Sequence, residues 1–286
     1  MITSLQNKNI KNAIKLIKKR RERRDRGLFI LEGLRIFLAT PLSLLKEIYI
    51  SQSFFNSKEK LLKLEDRLNV KFNDSFCEDS IKIELLDNHY IVVYFVADDI
   101  MDKMSDTDTP QGILTIAIKP KNELTTIIQK ENPSIIIIED MQDPGNLGTI
   151  IRTSEGAGIS GIILSKNTVD LFSPKVIRAT MGSIFRVPIY IAEDLHSVIK
   201  KLKENNIKIY AAHLRGKKNY FDVDFKGKSA FMIGNEGSGL TDDIANLADE
   251  LIHINMEGKL ESLNAAMATG IISYEIYRQR TQRTSI

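Results

Sequence analysis

The chain has 286 residues, of which 43% are hydrophobic and 27% charged, and a formal net charge of +3 at pH 7. These values are typical of a globular protein with one large domain or two ordinary ones and an ample core. Its single cysteine, Cys77, excludes an internal disulfide framework and a thiolate metal cluster.

The first segment with helical periodicity is strongly basic. Between Lys8 and Arg26 the only acidic residues are Glu22 and Asp25. Such a segment can attract phosphate backbones, although a charge run alone is about equally typical of a solvated helix face. The candidate RNA-binding residues in it are Lys18, Lys19, Arg20, Arg21, Arg23 and Arg24.

Short strand and helix patterns follow in the first half of the chain. The runs LFILEG, EIYIS and HYIVVYFVAD read as strands, and LRIFLAT and SKEKLLKLEDRL read as helices. We predict an N-terminal domain over residues 1–104 and a connecting segment over residues 105–132. Within that connection, GILTIAI has the composition of an ordered strand.

Strand and helix patterns alternate regularly over residues 133–286, which we predict to form the second domain. Apolar runs such as SIIIIED, GIILS and SAFMIG alternate with amphipathic helices, and the last predicted helix runs from about Ser262 to Arg280. This alternation predicts a mainly parallel α/β sheet covered on both faces. Ligands of such sheets bind beyond the carboxyl ends of the strands, where three polar loops of this sequence fall.

The first of these loops, DPGNLGTIIR, joins a tight turn to a helix. Pro144 and Gly145 favour the turn, and we expect Asn146 to cap the helix that follows. Arg152 projects from that helix and would supply a fixed cation if it faced the crevice. An ordinary surface arginine is the alternative, and it is the default for a lone arginine in a helix.

The second and third loops are GNEGSGL and ESLN. The G-x-x-G-x-G spacing that starts at Gly234 is neither a dinucleotide fingerprint nor a P-loop, and Glu236 would repel a pyrophosphate, which disfavours NAD and ATP. A simple turn is an equally good reading of the glycines alone. In the third loop, Ser262 is expected to cap the last helix, with Leu263 and Asn264 in its first turn.

Taken together and in this order, NLGTIIR, GNEGSGL and ESLN closely resemble the three motifs of the SpoU (TrmH-like) RNA ribose 2′-O-methyltransferases of the SPOUT superfamily. The resemblance covers about residues 133–280 and includes RATMGSIFRVP between the first two motifs. The basic N-terminal segment, together with the run LFILEG that follows it, is similar to the start of the substrate-binding domain that many members carry. That domain has a ribosomal-protein-like fold. Asn255 departs from the family pattern, which usually has proline there, and this change is expected to loosen the cofactor loop slightly.

The resemblance implies an α/β fold with a deep trefoil knot, S-adenosylmethionine as the methyl donor and a homodimer. It assigns catalytic roles to Arg152, which would bind phosphate and stabilise an alkoxide, and to Asn146, Glu236, Ser262 and Asn264. For the cofactor it points to Gly234, Ile254 and Leu263. Ribosomal RNA of the large subunit is the expected substrate, because the N-terminal domain is of the type found in rRNA-directed members.

Other readings stay open at this point. A tRNA methyltransferase of the same family, an antibiotic-resistance methyltransferase of the thiostrepton type, and a non-catalytic RNA-binding or ribosome-assembly factor all fit the layout. The four histidines lack metal-ligand spacing, so no metal is expected. No apolar run reaches the roughly 18 residues of a membrane span, and the N-terminus lacks a signal-like apolar core, so a cytoplasmic protein without a membrane partner is predicted.

Overall fold

The computed structural model describes residues 1–72, 78–85, 89–258 and 262–281 of the chain. They form two compact units. The first unit comprises Met1–Pro120 together with Phe172–Phe185, and the second comprises Lys121–Leu171 together with Arg186–Ile286. The chain therefore passes from one unit to the other three times.

The first unit is built on a mixed five-stranded sheet. Its strands are β1 (Leu28–Glu32), β2 (Leu45–Ser51), β3 (Ser80–Glu84), β4 (Tyr90–Val96) and β5 (Ile113–Ile118). The strand order is β1-β5-β2-β4-β3, in which only β2 and β4 pair in parallel. The helices are α1 (Lys8–Lys18), α2 (Arg20–Arg26), α3 (Leu34–Ala39), α4 (Gln52–Asn56), α5 (Lys58–Leu68), α6 (Asp98–Met104) and α9 (Pro174–Thr180).

The second unit contains a seven-stranded sheet whose neighbouring strands all pair in parallel. The strands are β6 (Ser134–Ile138), β7 (Gly161–Ser165), β8 (Ile189–Ala192), β9 (Lys208–Ala212), β10 (Lys218–Asn219), β11 (Ser229–Ile233) and β12 (Glu250–His253). Their order in the sheet is β10-β12-β9-β11-β6-β7-β8. The helices are α7 (Leu124–Ile128), α8 (Pro144–Gly156), α10 (Leu195–Glu204), α11 (Asp242–Ala245) and α12 (Ala265–Thr281).

The central strands of this parallel sheet are completely buried. Every residue of β6, β7 and β11 is buried, as expected for strands covered on both faces. α7 and α10 pack their apolar residues into one core cluster with the sheet, through side chains such as Ile127, Val198 and Leu202. The prediction of a mainly parallel α/β domain in the C-terminal half is confirmed.

Both predicted caps of the site helices are wrong by a few residues. α8 is capped by Asp143, whose carboxylate accepts the Asn146 backbone N–H at 2.7 Å, so Asn146 lies inside the first turn. α12 is capped by Asn264, whose side-chain oxygen accepts the backbone N–H groups of Ala266 and Met267. In each helix the residue directly before the first turn satisfies the unpaired N–H groups, which is the physical purpose of a cap.

The segment predicted as a connection, residues 105–132, contains two ordered elements. β5 lies between β1 and β2 in the sheet of the first unit, and α7 packs in the second unit. The first compact unit ends at Pro120, but it also includes Phe172–Phe185 from later in the chain. The functional domain boundaries drawn from the sequence stay a prediction.

Candidate active site

The three loops singled out in the sequence follow strands of the parallel sheet of the second unit. The first follows β6, the second follows β11 beside it, and the third follows β12, which is separated from β11 only by β9. Because these strands are parallel, their carboxyl ends lie at one edge of the sheet. The fold thus explains how loops distant in sequence can share one site.

The first loop is fixed where β6 ends. Asp140 has a left-handed backbone, with φ of 50°. Its carboxylate accepts the Ser165 hydroxyl at 2.6 Å, and its backbone N–H donates to the same hydroxyl at 2.8 Å. Two side-chain amides, from Gln142 and Asn235, donate to its carbonyl. This support was missed from the sequence, where the two acids directly after the apolar run of β6, Glu139 and Asp140, were the available signal.

The second loop needs glycine at its first position. A Cβ added to Gly234 would lie about 2.0 Å from the carbonyl carbon of Gly239, a separation that no side chain tolerates. Asn235 and Gly239 exchange backbone hydrogen bonds of 3.0 and 2.9 Å, which closes the loop into a narrow turn. The glycine spacing therefore serves close backbone packing, as the simple-turn reading allowed, and it also sets the position of Glu236.

A chain of side-chain hydrogen bonds joins all three loops. The Asn146 amide nitrogen donates to Glu236 Oε1 at 3.1 Å, and the Asn264 amide nitrogen donates to Asn146 Oδ1 at 2.9 Å. Glu236 also accepts the backbone N–H groups of Gln142 and Asp143, at 3.1 and 3.0 Å. Three of the residues predicted from separate motifs are therefore in direct contact, with Asn146 at the centre.

Glu236 is held in its charged form by this network. Burial raises the pKa of its carboxyl group, but the hydrogen bonds from Asn146 and from backbone N–H groups, including those of Gln142 and Asp143, outweigh burial and lower the pKa below its usual value. A carboxylate with several donors and a lowered pKa is a poor proton acceptor. Its chemistry suits fixing the orientation of Asn146.

The remaining predicted catalytic residues, Arg152 and Ser262, are exposed. Arg152 lies on α8 six residues beyond Asn146, about 9 Å further along the helix axis. Among the residues that the structure describes, none forms a hydrogen bond or ion pair with the Arg152 guanidinium. Its donors are available to an anion. Ser262 directly follows residues 259–261, which lie outside the described ranges.

Partly exposed apolar side chains lie next to the polar network in the sequence. Ile254 follows β12 and Leu263 precedes α12, and both are half-buried. Leu214, which sequence analysis did not select, follows β9 with 72% of its surface exposed. The available sequence signal was Gly216, two residues later; in the structure a Cβ there would lie about 2.5 Å from the Ile252 carbonyl carbon.

Asn255, which stands where the family pattern usually has proline, forms a side-chain hydrogen bond. Its side-chain oxygen forms a hydrogen bond of 2.7 Å with Nε2 of His253, the last residue of β12. This bond anchors the position at which proline would otherwise restrict the backbone.

The basic segment in the first unit consists of two helices instead of one. Lys19 has an extended backbone and separates α1 from α2. Arg23 is only 5% exposed, and its guanidinium donates to the carbonyl oxygens of Leu16 and Ile17 at 2.6 and 2.8 Å. Its inclusion among the RNA-binding candidates is corrected, because it binds the end of α1. The other five residues of that set are exposed: Lys18, Lys19, Arg20, Arg21 and Arg24.

The described ranges contain neither a membrane-spanning helix nor a cluster of metal ligands. No helix there is both long enough and apolar enough to cross a bilayer. No group of three or more His, Cys, Asp or Glu side chains in the same ranges is arranged to hold a metal ion.

Comparison with known proteins gives two family matches. Residues 133–274 match the SpoU rRNA Methylase family, and residues 7–115 match the MRM3-like substrate binding domain. The chain is similar to the 23S rRNA (guanosine(2553)-2′-O)-methyltransferase RlmP of Bacillus subtilis, with 32% identity over 65% of this chain and 73% of that protein. It is also similar to the uncharacterized tRNA/rRNA methyltransferase slr1673 of Synechocystis, with 27% identity over 98% of this chain and 94% of that protein.

Solved structures match nearly the whole length of the chain. The AdoMet-bound rRNA methyltransferase from Sinorhizobium meliloti is 30% identical and matches with a TM-score of 0.77 over 97% of each chain. The SpoU methyltransferase AviRb from Streptomyces viridochromogenes, in complex with AdoMet, matches with a TM-score of 0.81 over 97% of this chain and 99% of that one. At 24% identity, the second likeness supports the fold alone.

Proposed function

Because the chain belongs to the SpoU rRNA methylase family, we propose that it methylates the ribose 2′-hydroxyl of a nucleotide in large-subunit ribosomal RNA. It is an RNA methyltransferase that uses S-adenosylmethionine. The observation that carries the proposal is the hydrogen-bonded chain from Glu236 through Asn146 to Asn264, which brings the three motifs into one site.

Arg152 is the residue that we assign to charge stabilisation. S-adenosylmethionine would supply an electrophilic methyl group and leave as S-adenosylhomocysteine, and the ribose oxygen would lose its proton to solvent as it accepts the methyl group. The Arg152 guanidinium would bind the neighbouring phosphate and stabilise the negative charge that develops on the oxygen. A guanidinium stays protonated in proteins, so Arg152 acts here as a fixed cation and not as a proton acceptor.

The amide network would orient the substrate. Glu236 fixes the rotation of Asn146, and Asn146 in turn fixes Asn264 at the start of α12. Ser262, exposed two residues before this cap, is assigned to a hydrogen bond with the ribose or with the loop that holds it. An orientation that is set before binding lowers the entropy lost on reaching the reactive geometry.

The chemistry of the surrounding residues fits S-adenosylmethionine. Ile254, Leu263 and Leu214 offer apolar surface to a flat base, and the turn that Gly234 begins has exposed backbone groups at Gly237 and Gly239. We assign Gly234, Ile254 and Leu263 to cofactor binding and add Leu214 to that set.

Four wider properties belong to the same proposal. The first unit would bind RNA through the exposed members of its basic segment, the enzyme would act as a homodimer in the cytoplasm, and the second unit would contain the trefoil knot of the superfamily. The rRNA-specific name of the Bacillus relative supports the choice of substrate, whereas the Synechocystis relative is named for tRNA or rRNA. A tRNA substrate is therefore the second candidate.

One assay tests the reaction and the substrate class together. Unmodified large-subunit rRNA and bulk tRNA are incubated separately with the protein and labelled S-adenosylmethionine, and the products are hydrolysed in alkali. A 2′-O-methyl group blocks cleavage of the adjacent phosphodiester bond, so ribose methylation of rRNA predicts labelled, alkali-resistant dinucleotides from rRNA alone. Label in tRNA would favour the second candidate, and label released as single nucleotides would contradict ribose methylation.

A further inference from the structure

Phe172–Phe185, which we call the docking segment, belongs to the first unit although the chain on both sides of it belongs to the second. Phe172 and Phe185 pack against Phe29 in β1, with ring centroids 4.9 and 6.3 Å away. Phe29 is completely buried. The docking segment therefore completes part of the core beneath the first strand of the substrate-binding domain.

Polar contacts hold the same segment to the first unit. Arg178 on α9 donates to Asp106 at 3.0 Å and lies 4.0 Å from the carboxylate of Glu32, whose side chain is 8% exposed. Glu32 also accepts the hydroxyls of Ser105 and Thr107. Arg178 thus lies near two carboxylates, one of which is itself fixed by two hydroxyl donors, and such a group restrains the segment more than an isolated surface pair would.

The residues that flank the docking segment belong to the second unit, and on both sides they form hydrogen bonds with residues beside the first loop of the active site. On the upstream side, the Val169 backbone N–H donates to the Met141 carbonyl at 2.8 Å, and the Gln142 side chain donates to the Asn167 carbonyl at 3.1 Å. On the downstream side, Arg186 forms two hydrogen bonds with Glu155, one of them 3.0 Å long.

Glu155 lies on α8, three residues beyond Arg152. The chain that leaves the first unit at Phe185 is thus attached, one residue later, to the helix that carries the proposed catalytic arginine. A displacement of the docking segment would pull on α8 through this pair, because a peptide of one residue has almost no slack.

We propose that Glu155 and Arg186 are positioning residues, through which the docking segment sets the placement of α8 when the first unit holds RNA. This inference rests on the proposed function, since it requires RNA on the first unit. Positioning matters because an error of about 1 Å at a reacting group can lower a rate by about 100-fold. Stability should respond far less, since both side chains are partly exposed and exposed pairs contribute little.

Charge exchange tests the pair in the full-length protein. Glu155→Arg and Arg186→Glu should each lower kcat with unmodified large-subunit rRNA by about 10-fold or more, while KM and the Kd for S-adenosylmethionine change less than about 2-fold. The double exchange restores the attraction and should recover most of the lost kcat. Glu155→Gln, which removes only the charge, serves as the second variant if a reversal impairs folding.

The matched control is Lys203→Glu, which breaks an ion pair of similar exposure with Asp249 on the same unit. It should leave kcat within about 2-fold of the wild type. Unchanged kcat in the Glu155 and Arg186 variants, or no recovery in the double exchange, would overturn the proposal.

Hydrogen exchange separates this inference from the proposed reaction. Binding of the same rRNA to the wild type should slow amide exchange in residues 140–152, and Glu155→Arg should remove that protection without loss of RNA binding. Protection that persists in Glu155→Arg, or RNA binding with no protection, would overturn the coupling. Protection that depends on Glu155 in a protein that transfers no methyl group would instead support the coupling and contradict the proposed reaction.

Discussion

Asn146 has only one amide orientation that satisfies its neighbours. The Glu236 carboxylate can only accept hydrogen bonds, so the Asn146 nitrogen must face it and the Asn146 oxygen must face Asn264. Asn264 then has to donate with its nitrogen, which leaves its oxygen for the N–H groups at the start of α12. The charge on one residue thus fixes the orientation of two amides and the cap of a helix.

This orientation separates two functions of Asn264. Asn264→Ala should lower the free energy of unfolding by about 1 kcal/mol through loss of the cap, and it should also lower turnover. Asn264→Asp should keep the cap but lose the donor to Asn146, so turnover falls while stability is retained. Urea unfolding and methyl transfer measured on the same samples check both results. Ser262→Ala is the control, since it should leave stability unchanged, and a loss of stability there would restore Ser262 as the cap.

The Glu236 network also predicts a pH dependence of stability. Because its pKa is lowered in the folded protein, its stabilisation is present above the unfolded value of about 4.5 and is lost as pH falls through the folded value. Glu236→Gln should therefore lower the free energy of unfolding near neutral pH by about 1 kcal/mol, a modest effect because the carboxylate is exposed. Unfolding of both proteins at about pH 7 and pH 3.5 should show this difference shrinking in acid. A difference independent of pH would contradict it.

Arg152 should affect chemistry without affecting cofactor binding. No described residue depends on it for a hydrogen bond or ion pair, so Arg152→Ala removes only contacts with substrate. Turnover should fall by about 100-fold or more, the usual cost of removing a group that stabilises developing charge. Calorimetry with S-adenosylmethionine should give a Kd close to that of the wild type. Retained turnover would exclude the catalytic assignment.

At the level of helices, α2 contains two adjacent arginines with different environments. The Arg24 side chain is 75% exposed, whereas Arg23 is buried against the end of α1. Arg24→Ala should weaken RNA binding and reduce the slope of log K against log salt by up to about 1, with no loss of stability. Arg23→Ala should instead destabilise the protein by about 1–3 kcal/mol, because two buried carbonyl groups lose their donor. Filter binding over a salt series, together with thermal unfolding of both variants, distinguishes the two roles. Equal salt slopes for Arg24→Ala and the wild type would indicate that Arg24 lies on a solvated helix face that does not bind RNA.

Sequence patterns predicted the parallel sheet well and missed elements that depend on tertiary contacts. β6, β7 and β11 are continuous apolar runs, so their burial is apparent from composition. β3 is an edge strand of alternating and partly exposed residues, and its signal was too weak. The break at Lys19 and the burial of Arg23 depend on how α2 packs, and a run of charged residues contains no sign of either.

The site was predicted more fully than the contacts that support it. Asn146, Glu236 and Asn264 were selected by motif resemblance, and the structure joins them by hydrogen bonds. The contribution of Asp140 depends on its left-handed backbone and on Ser165, which follows it by 25 residues. Such support is fixed by the register between strands, which no local pattern contains.

For the whole molecule, α12 provides the surface on which we expect two copies to associate. Met267, Tyr274 and Tyr277 are 61%, 51% and 46% exposed, and they lie at spacings of seven and three residues on this helix. Sedimentation should give a dimer of the 32.4 kDa chain, because burial of these side chains removes apolar surface from water. Tyr274→Asp should shift the protein toward monomer.

Leu62→Asp is the matched control for that measurement. Leu62 is 50% exposed but lies on α5 of the first unit. The variant should remain dimeric. A monomeric wild type at micromolar concentration, or equal behaviour of the two variants, would contradict association through α12.

The hydrogen-bonded chain around Asn146 also determines when the enzyme can first become active during its synthesis. Asn146 and Glu236 are 90 residues apart, and Asn264 follows Asn146 by 118 residues. A nascent chain that has emerged only as far as β11 contains the first loop but lacks the amide that completes the network. Contacts of such long range form late, after the costly closure of large loops. The active centre is therefore incomplete until α12 has left the exit tunnel and packed. Before that point the nascent enzyme could not methylate RNA near the ribosome that makes it.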